Sequence, residues 1–298
     1  MKQIQTVWVV GAGALGSVLA ALLHLNGKAQ TYLLGASPHW QKVRDEDLLL
    51  QQPGRDDRRI PLQTCAWDEV PELGAGHAVL LTGKATDLPQ VCARLRPKLG
   101  REALVFTLQN GLGVREMAGG LLERPVEAGV ALFGARSVAP GQAFFFGPGR
   151  LILSAGPAAQ ALSEVLASED LVCEQTEDYK SAEWFKLAVN CLANPLAGIL
   201  NLPNHQLISP TLDPAKEVLL SEVKAVALAE GVEVDLSIER FNQMLRGDNV
   251  PSMRTDIDRG RPSEIDFING AIVRLAAKHG LTAPANQLVT SLIKCLAG

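Results

Sequence analysis

"TVWVVGAGALGSVLAALLHLNG", residues 6–27, sets a short β-branched run, a glycine cluster and a long apolar segment closed by Gly27 in direct succession. Thr6–Val10 has the composition of a strand buried on both faces, and "SVLAALLHLNG" (17–27) that of a helix. Between them Gly11, Gly13 and Gly16 spell G-x-G-x-x-G. In that order the first glycine turns tightly, the second lets backbone approach a pyrophosphate, and the third lets the helix pack near the strand. The helix N-terminus then offers free N–H groups to phosphate. The stretch predicts a dinucleotide site built by Gly11, Ala12, Gly13, Ala14, Leu15 and Gly16; a glycine turn with no ligand is the alternative the pattern leaves open.

The next strand, "QTYLL" at 30–34, ends at Gly35, where an Asp or Glu would grip the ribose 2′-hydroxyl of NAD. With no carboxylate to oppose a 2′-phosphate, and with Ser37, His39, Lys42 and Arg44 following, NADP is the expected cofactor. The same basic residues also fit a solvated helix face. "HAVLLT" (77–82) and "EALVFTL" (102–108) read as further strands, each followed by a helical segment, which predicts an open parallel sheet with ligands beyond its carboxyl ends. Lys84 and Asn110 stand at two such ends; an ordinary surface lysine and an Asn-Gly turn are their plain alternatives. "GVALFGARSVAPGQAFFFGPGRLILS" (129–154) reads as turn-linked strands added antiparallel to that sheet.

From about residue 178 the periodicity becomes helical, so the expected fold is α/β, with a Rossmann-type domain at 1–177 followed by an all-α domain at 178–298. "EWFKLAVNCLANPLAG" (183–198) is largely apolar yet repeats a polar residue every fourth position: Lys186, Asn190 and Asn194. At about 3.6 residues per turn these lie along one line. The row either faces a cleft between the halves or points to solvent from an amphipathic helix. Pro195 removes one backbone hydrogen bond and biases Asn194 away from helical angles, so the helix is expected to kink or break there. In "GDNVPSMRTDIDRGRPSEIDFING" (247–270), Ser263 and Asp266 form a capping-box-like pair at the expected start of a helix; this explains Asp266 well and Glu264 only in part.

The chain has 298 residues, 47% of them hydrophobic, enough for two domains with substantial cores. A net charge of −4 with scattered Lys and Arg speaks against nucleic acid as a partner. Five cysteines and five histidines show no metal-ligand spacing, so no metal is expected and the thiols read as reduced. The N-terminal apolar run is broken by three glycines and no later run reaches the ~20 residues of a membrane span, which predicts a cytoplasmic protein with no membrane partner.

Taken together, "GAGALG", "TGKATD", "LQNGLG", "KLAVNCLANPLAG" and "NVPSMRTDIDRGRPSEIDFING" resemble, in order and spacing, the ketopantoate reductase (2-dehydropantoate 2-reductase) family. The resemblance implies NADPH-dependent reduction of ketopantoate to pantoate on the route to pantothenate, by a monomer or homodimer acting on a small 2-oxo acid. It implies Lys186 as the catalytic lysine and Glu264 as the active-site glutamate. Asn190, Asn194 and Asn204 would line the substrate pocket, Asn249 and Ser252 would bind the carboxylate end, and Lys84 and Asn110 would stand between cofactor and substrate. Gly35 departs from the family, which often carries an Arg near the 2′-phosphate. A reductase of another 2-oxo acid on the same scaffold and a non-catalytic NADP(H) sensor are the competing readings.

Overall fold

The structure, a computed structural model, describes residues 3–245 and 250–297, so Asn249 lies outside the described residues. The chain divides into two units: Met1–Gln109 with Val114–Tyr179, and Asn110–Gly113 with Lys180–Gly298. Among the described residues no helix is long and apolar enough to cross a membrane, and no group of three or more His, Cys, Asp or Glu is placed to hold a metal ion. The five cysteines are free thiols.

The first unit alternates strands and helices: β1 (Thr6–Val10), α1 (Ala14–Asn26), β2 (Gln30–Leu34), α2 (Pro38–Glu46), β3 (Leu48–Gln51), β4 (Arg58–Ile60), β5 (Gln63–Cys65), β6 (His77–Leu81), α3 (Leu88–Leu95), β7 (Leu104–Thr107), α4 (Val114–Leu122), β8 (Glu127–Leu132), β9 (Ala135–Ala139), β10 (Gln142–Phe145), β11 (Gly149–Ser154), α5 (Pro157–Leu166) and β12 (Leu171–Thr176). Every residue of β1 is buried, as its unbroken apolar run requires of a central parallel strand. It pairs in parallel with β2 on one side and β6 on the other, within an eight-stranded sheet of order β12-β11-β8-β7-β6-β1-β2-β5.

The segment 129–154 corrects one expectation. β8 joins the large sheet parallel to β7, and β11 joins it antiparallel to β8, but the β9–β10 hairpin leaves it. β10 pairs with β3 instead, making a second sheet of order β4-β3-β10-β9. In its place there Phe145, on β10, is fully buried and meets Phe133 edge to face at 5.4 Å.

The second unit is helical: α6 (Tyr179–Leu200, entering from its first residue in the other unit), α7 (Asp213–Ala229), α8 (Ile238–Met244), α9 (Ser252–Asp258), α10 (Asn269–Lys278) and α11 (Pro284–Leu296). Its own core gathers Trp184, Leu187, Leu192, Val223, Phe241, Ile272 and Ile293. Two expectations change here. α6 does not break at Asn194 but runs on to Leu200 with Pro195 inside it. The carbonyl four residues earlier, that of Cys191, loses its helical donor to the proline, and the Asn269 side-chain amide donates to it at 3.0 Å. α10 begins at Asn269, not at Ser263: residues 265–267 form a 3₁₀ turn, and the Asp266 carboxylate pairs with Lys294 at 2.7 Å instead of capping a helix.

Lys216 is fully buried, with its ammonium donating to the Leu207 carbonyl at 2.9 Å and to Asn242 Oδ1 at 2.8 Å and paired with Asp213 at 2.6 Å. It pins the loop after α6 to α7 and α8. Lys216→Ala is expected to lower unfolding free energy by about 2–3 kcal/mol, from three acceptors left without their donor and a lost aliphatic stem, measured by urea denaturation.

Candidate active site

In the first unit the glycine turn is shaped by exclusion. Gly11 adopts φ +115°, and a Cβ there would lie 2.4 Å from the Gly83 nitrogen. A Cβ on Gly16 would fall 2.0 Å from the Gly11 carbonyl oxygen and 2.6 Å from Thr82 Oγ1, so the helix reaches the strand only because that atom is missing. At Gly13 the opposite holds: nothing lies within 4 Å, and the position opens to solvent. α1 then starts with no side-chain cap and no acidic residue in its first turn. Uncapped N–H groups, an uncompensated helix dipole and open space above Gly13 fit a pyrophosphate. Ala12, Ala14 and Leu15 are half-buried around this turn.

Gly35 ends β2 beneath a packed ring. A Cβ there would stand 3.0 Å from both Ala12 Cβ and Trp40 Cδ1, so an Asp or Glu that would bind a ribose would have to push these neighbours back by a few tenths of an ångström. Trp40 is held by its indole N–H on the Leu33 carbonyl at 2.9 Å, and its backbone N–H donates to Ser37, the N-cap of α2. The basic residues nearby are engaged within the protein. Arg44 bonds Glu69 at 2.9 Å, Lys42 pairs with Glu46, and His39 meets Ser17 Oγ at 2.9 Å. Lys84 is half-buried just beyond β6, where it caps a short 3₁₀ turn.

In the second unit the row on α6 is inset. Lys186 and Asn190 are half-buried and Asn194 is buried, so none of the three projects freely into water as a solvated helix face would have it. Burial lowers the Lys186 ammonium from the ordinary lysine range to about 8, and the Glu264 carboxylate offsets part of that effect. Glu264 is itself buried, at the start of the 3₁₀ turn before α10. The structure thus brings an acid and a base from distant parts of the sequence into electrostatic reach within one unit.

Three further expected residues also fall in this unit. Asn110 is half-buried, and the glycine after it, at φ +102°, would drive a Cβ to 2.5 Å from Phe267 Cβ. Leu112 N–H donates to the Phe267 carbonyl at 2.9 Å, so the Asn110 loop is registered on the same segment that carries Glu264. Asn204 begins a 3₁₀ turn after α6, and its buried Oδ1 has no hydrogen-bond partner among the described residues. Ser252 is exposed and opens α9. That helix is drawn close to α6 at Gly198, where a Cβ would lie 2.9 Å from Ile257 Cδ1. Asn269, one of the polar residues of 247–270 to which the sequence assigns no role, joins this segment to α6; Pro195, which leaves the Cys191 carbonyl without its helical donor, is the signal for it.

Comparison with known proteins bears on both units. The model of ketopantoate reductase PanE/ApbA matches residues 7–158, and that of the ketopantoate reductase C-terminal region matches residues 178–297. The chain belongs to the ketopantoate reductase family. Its fold is that of the family, a Rossmann-type unit followed by a helical one. The 2-dehydropantoate 2-reductase of Pyrococcus horikoshii is 31% identical, with 97% of this chain and 96% of the relative covered. A ketopantoate reductase structure from Ralstonia eutropha JMP134 superposes with a TM-score of 0.86 at 27% identity, covering 98% of both chains. A D-mandelate dehydrogenase solved with NADH and anilino(oxo)acetate gives a TM-score of 0.89 at 25% identity, again over 98% of both chains.

For this ketopantoate reductase family member, Gly111→Ala is expected to cost about 2 kcal/mol or more, because it strains a positive φ and strikes Phe267. Thermal and urea unfolding measure it, and a neutral result would mean that the loop is not seated on Phe267.

Proposed function

We propose that the protein reduces 2-dehydropantoate to pantoate with NADPH, using Lys186 as the proton donor. The observation that carries this reading is the inset ammonium of Lys186, lowered to about 8 by burial and lying within the field of the Glu264 carboxylate. A reduced nicotinamide supplies hydride to the keto carbon. The carbonyl oxygen then gathers negative charge, which a cationic N–H donor stabilises before giving up its proton. An amine with a pKa near 8 is still protonated at neutral pH yet releases its proton more readily than an ordinary lysine.

The remaining residues bind and orient. Asn190, one turn along α6, offers an amide to the substrate oxygen or the ammonium without adding a counter-charge, and Asn194 continues the polar line. The unpartnered Asn204 Oδ1 suits a hydroxyl-bearing substrate, because a buried acceptor gains a donor when the substrate binds. Glu264 keeps Lys186 charged and can accept from the same hydroxyl. Ser252 and Asn110 are assigned to the substrate, and Lys84, Asn110 and the residues from Gly11 to Gly16 to the cofactor. The glycine turn fits a dinucleotide on the clearances given above. NADPH is preferred to NADH in this reading because the packed ring against Gly35 leaves no carboxylate to repel a 2′-phosphate, while the Ser37 hydroxyl and the acid-free first turn of α2 stand next to it.

A second reading has its own support. The D-mandelate dehydrogenase shares the fold over almost the whole chain and was solved with NADH and an oxo-acid derivative, so this scaffold also hosts a different substrate with a different cofactor. Oxidation of NADPH with ketopantoate and then with a panel of 2-oxo acids separates the two. A clear preference in kcat/KM for ketopantoate is expected, and a large preference for an aryl oxo acid would overturn the assignment.

Lys186→Ala is expected to lower kcat by at least about 10²-fold with the fold intact by circular dichroism. In the wild type, kcat/KM should fall as pH rises through about 8, because the donor loses its proton there. Glu264→Gln should move that limb to lower pH, since the charge that holds the proton on is removed. In fluorescence titration, NADPH should bind more tightly than NADH.

A further inference from the structure

We propose that Asn269 is a positioning residue for the Lys186 and Glu264 pair: its side chain ties the segment carrying Glu264 to α6 at the hydrogen-bond gap that Pro195 opens. This rests on the reading of Lys186 as proton donor, but its test is chosen to stand apart from it.

Pro195 has no N–H, so the Cys191 carbonyl cannot make its helical bond. A buried carbonyl left in that state is costly, and Cys191 is fully buried. Asn269, with no exposed surface, donates its amide to this carbonyl at 3.0 Å and to Asn286 Oδ1 at 2.9 Å. Asn286 in turn donates to Glu222 at 2.7 Å and to the Leu219 carbonyl at 3.3 Å. Glu222 accepts the backbone N–H groups of Ala285 and Asn286 at 2.8 and 2.9 Å. The chain of bonds therefore runs from α6 through α10 and α11 to α7.

Its placement makes it more than a structural filler. Cys191 directly follows Asn190 on α6, and Asn269 lies five residues after Glu264, separated from it by the short 3₁₀ turn at 265–267 and Ile268. Without the proline the helix would satisfy its own carbonyl, and the two catalytic segments would lack this bond. The missing N–H gives α6 a site that only a neighbouring donor can fill, and that donor comes from the segment holding Glu264. Glu264 is the charged group whose field reaches Lys186 among the described residues, so loosening this tie changes how firmly Lys186 holds its proton.

The test uses the full chain as Asn269→Ala, Pro195→Ala and the double variant. The Lys186 amine is titrated by NMR without substrate, alongside Tm and the pH profile of kcat. Asn269→Ala should lower the Lys186 midpoint by about half a pH unit or more, reduce kcat about 10-fold and lower Tm by roughly 3–6 °C. In the double variant the restored N–H at position 195 satisfies the Cys191 carbonyl, so Tm should return toward that of Pro195→Ala while the midpoint stays lowered relative to it. If the double variant recovers midpoint and Tm together, Asn269 merely fills a backbone gap and the proposal fails. An unchanged midpoint in Asn269→Ala sinks it too. Should Asn269→Ala fail to fold, the double variant against Pro195→Ala carries the same comparison. Because the NMR midpoint needs no turnover, inactivity toward every 2-oxo acid would remove the proposed reaction without touching this result.

Discussion

A long apolar helix with a proline in its middle obliges its surroundings to supply one hydrogen bond. In α6 the bond is given by Asn269, and much of the second unit is arranged around that donation. α10 begins at Asn269 itself, and Asn286 and Glu222 continue the chain of donors and acceptors into α11 and α7. The same helix presents Lys186, Asn190 and Asn194 on one line. A break at the proline would have pointed Asn194 elsewhere; continuity keeps all three in register.

The first unit rests on a different kind of constraint, the absence of atoms. Gly11 and Gly16 let a loop, a strand end and a helix crowd into a space that a single methyl group would fill. Gly35 repeats the device against Trp40, with a chemical consequence, since a residue without a side chain cannot discriminate against phosphate by charge. One unit is shaped by what the backbone leaves empty, and the other sets polar groups into an apolar helix.

Some of this was legible in the residues. β1 and β2 are readable to their end residues because Gly11 stops the first and Gly27 and Gly35 flank the second. The strand character of the β9–β10 hairpin is legible in its residues but its sheet is not, because pairing with β3 joins residues some ninety positions apart and local pattern carries no trace of it. At Pro195 the local rule predicts a kink or break; the helix does not break, and the carbonyl the proline leaves without a donor is served by a side chain far away in sequence. At the site, the spacing of Lys186, Asn190 and Asn194 was visible as a period of four, whereas Asn204, Ser252 and Glu264 gained their roles from family resemblance. The effect of Glu264 on Lys186 depends on three-dimensional proximity, and no spacing rule over the intervening residues could have revealed it.

The loop Asn110–Gly113 sits with the helical unit although its sequence neighbours on both sides belong to the sheet. The two halves are therefore not interchangeable modules. A hybrid made by joining the front of one relative to the back of another at the apparent boundary near residue 178 would carry a foreign loop to the Phe267 backbone, so recombination within this family should respect four residues that lie far upstream of the junction.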